Sequence, residues 1–407
     1  MRILVLTDRF LPEIAAPSFR IVDHARYWLN EGHELTVVTC APNFPAGKIF
    51  NGYANRAYQE EWIEGIRVIR VWSYMSANTG FVKRTLDQAS FMCSAVALSS
   101  RYPDFDIILA TSPPLFVALA GYLISFFSKR PWIFEIRDLW PASIKAVGLG
   151  KKVPLGFLEK MELFLYRKTD RIISLTYSFR ENLTRRGIPS DKIDVVTNGV
   201  DTDLFSSYAE SLDKRSALGF DEETFLVGYM GTVGMAHGLE TLVDCAYLTR
   251  NNSSVRFIIM GQGSERRKLE QRVQDHGIDN VTFLDFVPHE EVPHYLGALD
   301  LFIVHLRPDP LFRTVIPSKI FESMAMGVPI LHAVEGESAT IVAESGAGVC
   351  IPSGDPQIMA ETILRLMETP SELRVMGARG RTAALAQYGR RPKALACLAS
   401  FEKVVRG

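Results

Sequence analysis

Short apolar runs rich in β-branched residues alternate with segments of helical period along the whole chain, and this rhythm restricts the fold more than any other feature. The opening sets it. Residues 3–7 read as a strand, and a loop with Pro12 and Pro17 follows. Apolar positions Ile21, Ala25, Trp28 and Leu29 then recur at helical spacing, and Gly32-His33 leads into a second strand at 35–39. Further runs fall at 66–71, 107–110, 133–136, 172–175 and 193–196. Nearly continuous apolar strands of this kind belong to parallel sheets covered by helices on both faces. A polar stretch rich in Asp and Ser, ending near Phe220, reads as a linker. The rhythm then restarts at 225–230 and continues through 257–260, 281–284, 301–304, 330–331 and 348–351. The expectation is an α/β chain of two Rossmann-like, doubly wound parallel-sheet domains facing a central cleft, with ligands at the carboxyl ends of the strands.

A length of 407 residues suits two domains, each large enough for its own core. The net charge of -1 argues against a nucleic-acid partner. Residues 1–204 carry 25 Lys or Arg against 21 Asp or Glu, and the remainder 20 against 25, so the first half is the better candidate to meet anionic lipid. Cys40, Cys93, Cys245, Cys350 and Cys397 are scattered, odd in number and without C-x-x-C spacing, which points to a reducing compartment. His24, His33, His289, His294 and His332 have no metal-ligand spacing. The N-terminus reads as a strand and lacks a signal-peptide cleavage site, so export is not expected. The run 115–127, LFVALAGYLISFF, is too short to cross a bilayer as a helix. It reads either as a helix buried behind the sheet or as a partly membrane-inserted segment.

Four stretches carry the chemistry. Gly228-Tyr-Met-Gly231-Thr232-Val-Gly234-Met-Ala-His237-Gly238 follows a strand and enters a helix, where backbone N–H groups could receive a phosphate. Gly261-Gln-Gly263 follows the next strand. It is no dinucleotide fingerprint, because position 266 is Arg, and reads as a tight turn beside the cleft. In Pro317-Ser318-Lys319-Ile-Phe-Glu322 a cation stands in the first turn of a helix, against the helix dipole, unless an anion sits there. Lys319 for a diphosphate and Glu322 for ribose hydroxyls make a nucleotide clamp; the alternative is a surface Lys–Glu pair. In the first domain, Glu135-Ile-Arg137-Asp138-Leu-Trp140-Pro141 gathers charges and an indole at a strand end. Asp138 could take a sugar hydroxyl, Arg137 a phosphate and Trp140 a ring face, or Arg137 and Asp138 could be a structural pair. Lys145, Lys151, Lys152, Lys160, Arg167 and Lys168 around Leu155, Phe157, Leu158, Leu163 and Phe164 read as a basic amphipathic helix suited to anionic lipid, or as a solvated face.

In order and spacing these pieces, with Phe10-Leu-Pro-Glu13, Pro42-Asn-Phe-Pro45, Asn198-Gly-Val-Asp201 and Gly346-Ala-Gly348, resemble the family 4 retaining glycosyltransferases of GT-B fold. Within that family they are most similar to the L-fucosamine (N-acetyl-fucosamine) transferases of bacterial O-antigen and capsule assembly. The resemblance implies an acceptor-binding domain at 1–205, completed by a C-terminal helix at 385–407, and a nucleotide-sugar domain at 206–384. It implies donor contacts at Gly231, Thr232, Gly234, His237, Gly261, Gly263, Arg313, Ser318, Lys319 and Glu322. Acceptor contacts fall on Glu13, Arg137, Asp138 and Trp140. Asp138, Lys319 and Glu322 are the catalytic set, with Asp138 orienting. Glu322 matches the second Glu of the family's E-x7-E motif, while Thr314 stands where the first belongs. Thr232 and His237 stand where the family carries an Arg and a Lys for the pyrophosphate. Lys319, Arg313 and the backbone of 231–234 are the expected replacements. No cofactor or metal is implied. The donor implied is a UDP-sugar, the acceptor a polyprenyl-diphosphate-linked saccharide, and the location the cytoplasmic face of the inner membrane. A nucleotide-sugar 2-epimerase and a non-catalytic sugar-nucleotide-binding protein are the rival readings; a dehydrogenase lacks its fingerprint near Thr7.

Overall fold

The computed structural model describes residues 1–13, 16–44, 46–76, 81–140, 142–143, 155–206 and 211–406. The chain divides into two compact units, residues 1–198 with 390–407, and residues 199–389. Pro141, Lys145, Lys151 and Lys152 of the sequence reading lie outside the described residues.

The first unit is built on eight strands: β1 (Arg2–Leu6), β2 (Glu34–Cys40), β3 (Tyr58–Ile63), β4 (Ile66–Val71), β5 (Ile107–Ser112), β6 (Trp132–Ile136), β7 (Arg171–Ser174) and β8 (Ile193–Val195). Their order is β3-β4-β2-β1-β5-β6-β7-β8, and all pair in parallel except β3 with β4. The order reverses direction between β1 and β5, which places a topological switch point at their carboxyl ends. Only β3 escapes the apolar-run pattern. It is an edge strand with Trp62 70% exposed, fastened to β4 by Glu60–Arg67 (2.7 Å) and Glu61–Arg70. Glu64 and Gly65 both take positive φ in the turn, as a two-residue hairpin requires.

Helix Ala16–Asn30 lies on this sheet, and helix Arg390–Val405 lies on it in turn. Trp28 Nε1 donates to the Ala394 carbonyl (2.9 Å), Phe401 meets Trp28 edge-on (5.2 Å), and Arg390 pairs with Asp23 (2.7 Å). Helix Leu115–Ser128 divides the 115–127 run in two. Leu115, Val117, Ala118, Ala120, Gly121 and Ile124 are buried, while Phe126 and Phe127 are each 66% exposed at its end. Among the described residues no helix is long and apolar enough to cross a membrane.

The second unit holds β9 (Phe225–Met230), β10 (Val255–Met260), β11 (Val281–Leu284), β12 (Leu301–His305), β13 (Ile330–Ala333) and β14 (Gly348–Cys350), all parallel, in the order β11-β10-β9-β12-β13-β14. This is the doubly wound order with its switch point between β9 and β12. The described residues on either side of 207–210, in the polar stretch that reads as a linker, pack on this unit instead. Phe205 is buried in its core, and Arg215, in helix Ser211–Ala217, donates to the carbonyls of Ala298, Asp221 and Thr224 and to Asp300. Burial of one aromatic and the carbonyl partners of one Arg outweigh the local polarity.

Candidate functional site

In an open α/β sheet the crevice beside the switch point is where ligands bind, and in the second unit the loops after β9 and β12 line it. The backbone of the first loop runs alongside that of the loop after β10: Gly231 N–H donates to the Met260 carbonyl, and Val233 N–H to the Gln262 carbonyl (2.9 Å each). Only glycine fits at 261. Its φ is +138°, and a Cβ there would lie 1.9 Å from the Gly231 carbonyl oxygen. A Cβ at Gly263 would likewise meet the Val233 carbonyl at 2.1 Å. Arg266, standing where a dinucleotide fingerprint needs glycine, donates to the carbonyls of Gly261 (2.6 Å) and Leu284 (2.5 Å) and closes the turn from behind.

Helix Lys319–Met326 starts at this crevice. The Lys319 ammonium sits 4.0 Å from the centre of the Tyr229 ring and packs on the Gly231 backbone. Among the described residues no carboxylate reaches it within ion-pair distance, so the i,i+3 spacing to Glu322 does not produce a Lys–Glu salt bridge. Burial brings the Lys319 ammonium down to about 8, with the Glu322 charge opposing. Glu322 is half-buried one turn along the same helix, and Ser318, at the helix start, and Thr232, in the loop after β9, are exposed. His237 packs edge-on against Tyr229 (6.0 Å between centres). Burial first, then Lys319 and His305, push its imidazole down to about 3, so it is neutral at working pH. The loop thus offers donors but no fixed charge of its own, and Lys319 is the cation of the crevice. Arg313, in the loop after β12, makes a 2.5 Å ion pair with Glu335 at a cavity of about 120 Å³ lined also by Arg307, Phe312 and Ser353.

Tyr229 and His305 are given no role in the sequence reading because both sit in apolar strands. The one available signal was position: His305 is the last residue of β12, where side chains leave the sheet for the crevice. Its Nδ1 lies 2.6 Å from the His237 carbonyl oxygen.

In the first unit the charges of the Glu135-Ile-Arg137-Asp138 stretch separate. Glu135 is buried and pairs with Arg20 (2.9 Å), which also donates to Asn198 Oδ1 (3.0 Å) and the Val196 carbonyl (3.2 Å). Arg137 Nε is buried without a partner. Burial raises the Asp138 carboxyl to about 6, the Arg137 charge offsetting only part of this. Trp140 is half-buried. Glu13 is turned inward: its Oε1 accepts from the backbone N–H groups of Asn43 (2.7 Å) and Phe44 (2.8 Å) and from Arg9 (3.3 Å). It holds the loop after β2 and is 1% exposed.

Two doubly wound parallel-sheet units are the architecture of the GT-B fold. Comparison with known proteins agrees. Residues 19–204 match the family described as Glycosyltransferase Family 4, and residues 210–383 the family described as Glycosyl transferases group 1. The chain is 24% identical over 336 residues to a protein of Escherichia coli assigned to colanic acid biosynthesis as the glycosyl transferase WcaI, covering 80% of this chain and 82% of that one. Among solved structures, sucrose-phosphate synthase from Thermosynechococcus elongatus superposes with a TM-score of 0.83 at 18% identity, covering 100% of this chain and 99% of that one. Anabaena Alr3699/HepE, solved with UDP and glucose, gives 0.74 at 18% identity over 99% of each chain. The chain is a glycosyltransferase of GT-B fold, with a Glycosyltransferase Family 4 domain over residues 19–204 and a Glycosyl transferases group 1 domain over residues 210–383.

Proposed function

We propose that this enzyme is a retaining glycosyltransferase that moves an N-acetylated amino or deoxyamino sugar, with N-acetyl-L-fucosamine first in line, from a UDP-sugar to a lipid-linked saccharide in cell-surface polysaccharide synthesis. The observation that carries the donor half is Lys319. A half-buried ammonium with only a ring face for company is costly, and an anion beside it offsets that cost. A diphosphate on the Gly231–Gly234 backbone would supply two negative charges there, with Glu322 placed for ribose hydroxyls. UDP as the carrier is supported by the HepE complex, which holds UDP, and by the resemblance drawn from the sequence.

In this reading the leaving phosphate accepts the acceptor's proton, and the protein contributes orientation and charge stabilisation. Lys319 and the loop amides hold the diphosphate, while Asp138 orients an acceptor hydroxyl and Arg137 meets an acceptor phosphate. No step needs a metal or cofactor. The exposed Phe126, Phe127, Phe157 and Phe164 and the basic residues among them support docking of the first unit on the cytoplasmic face of the inner membrane. Incubation of the chain with labelled UDP-sugars and a polyprenyl-linked acceptor extract tests the whole reading. Transfer of label into the lipid fraction is expected from a UDP-N-acetylhexosamine or deoxyhexosamine. Turnover that ignores the lipid extract would favour an epimerase instead.

A further inference from the structure

We infer that His305 is a positioning residue for donor binding, holding the 234–238 turn in place through its Nδ1 proton. The inference rests on the proposal that the Gly231–Gly234 backbone, which runs straight into this turn, meets the donor diphosphate. Two hydrogen bonds fix the ring. Nδ1 lies 2.6 Å from the His237 carbonyl oxygen, and the Gly354 N–H points at Nε2 from 3.2 Å. A carbonyl only accepts, so Nδ1 carries the proton; a backbone N–H only donates, so Nε2 is bare. The ring is therefore neutral, in one tautomer, and 2% exposed.

Its surroundings argue for a task beyond filling the core. His305 ends the strand Leu301-Phe-Ile-Val-His305, where an aliphatic side chain would pack without any polar group to satisfy. Its bonds lead out of the sheet to two loops. The same strand end grips the turn twice more: Arg307 N–H donates to the Ala236 carbonyl (2.9 Å), and the Arg307 guanidinium pairs with Glu240 just past the turn (2.7 Å). Gly238 closes the turn at φ +58°, so near that a Cβ would stand 3.2 Å from the His305 ring and 2.8 Å from the Arg307 stem. Of the two bonds to carbonyls of the turn itself, at Ala236 and His237, the His305 bond is the one a side-chain substitution removes. Losing it frees the His237 carbonyl and loosens the turn that continues the Gly231–Gly234 backbone, against which Lys319 packs.

Asn and Gln separate the two bonds. In His305→Asn the amide nitrogen replaces Nδ1 and keeps the bond to the turn; in His305→Gln the amide reaches the Nε2 position and keeps only the bond to Gly354. Titration calorimetry with UDP, alongside melting temperatures, reads the difference. His305→Ala is expected to weaken UDP about tenfold, the ordinary consequence of unmaking one buried hydrogen bond. Asn should recover most of that loss and Gln little, although both lower the melting temperature alike. Affinities that track melting temperature across the three variants, or an Ala variant that binds UDP as the parent does, would overturn the inference while leaving the donor site intact. A parent chain that binds no UDP would remove the donor reading and this inference together. Should the Ala variant fail to fold, the Asn and Gln pair alone decides.

Discussion

Lys319 sets a conflict between stability and function at a single atom. Unfolded, its ammonium would keep its proton to about pH 10.4; folded, it lets go near 8 because of burial. Between those values the unfolded chain binds more protons, so stability rises with pH through that window, and at neutral pH the charged group costs the fold. Donor binding runs the opposite way, since a diphosphate needs the charge. UDP affinity is therefore expected to fall as pH climbs past about 8, and to do so less in Lys319→Arg, whose guanidinium stays protonated. Lys319→Met should melt higher than the parent without nucleotide and bind UDP at least tenfold more weakly. Calorimetry at pH 7 and pH 9, with thermal melts, reads both effects; a Met variant that loses stability and keeps UDP would remove Lys319 from the donor site.

At the level of elements, the backbone contact between the loops after β9 and β10 depends on glycine at 261. An alanine there combines a forbidden φ with a Cβ 1.9 Å from a carbonyl oxygen that cannot retreat without moving Gly231. Gly261→Ala is expected to destabilise the second unit by more than about 3 kcal/mol and to abolish UDP binding. Gly277, also at positive φ (+58°) but with open space around it, is the control. There alanine should cost only about 1–2 kcal/mol and leave binding alone. Urea unfolding of both variants separates clash from backbone strain. The helix Arg390–Val405 makes a second case, because Phe401 is wholly buried against Trp28. Phe401→Ala should cost about 3–5 kcal/mol, read as lost amide protection in helix Ala16–Asn30. How much of this was legible follows from what each element shows its neighbours. Parallel strands buried on both faces advertise themselves as apolar runs, so nearly all were readable. β3 was not, because an edge strand is wet on one side. Lys319 was readable because a cation in a helix's first turn breaks a local rule. His305 and Tyr229 were not, since their partners are a carbonyl and an ammonium brought in from other strands and helices.

Across the whole molecule the net charge of -1 gives no general attraction to a membrane, so any docking must come from a local surface. The first unit has one. Helix Leu115–Ser128 ends in Phe126 and Phe127, followed by Lys129 and Arg130, all exposed. Helix Leu155–Lys168 packs beside it through the edge-on contact of Tyr122 with Phe164 (5.2 Å) and carries Phe157, Lys160, Phe164 and Lys168 at helical spacing. Exposed aromatics interleaved with cations are what an interfacial surface needs: rings to enter the acyl boundary and charges to meet phosphates. The chain is expected to sediment with vesicles containing phosphatidylglycerol and much less with pure phosphatidylcholine. Salt should weaken but not abolish binding, because screening reaches the cations and leaves the rings. Both phenylalanines are already 66% exposed, so a Phe126→Ser, Phe127→Ser double variant gives up little of the core and should melt as the parent does. Full burial of a side chain of this size is worth about 1.5–3 kcal/mol, so losing two should weaken vesicle binding by more than tenfold. A double variant that sediments as well as the parent would mean these rings never enter the bilayer, and any membrane contact would then have to come from another face of the chain.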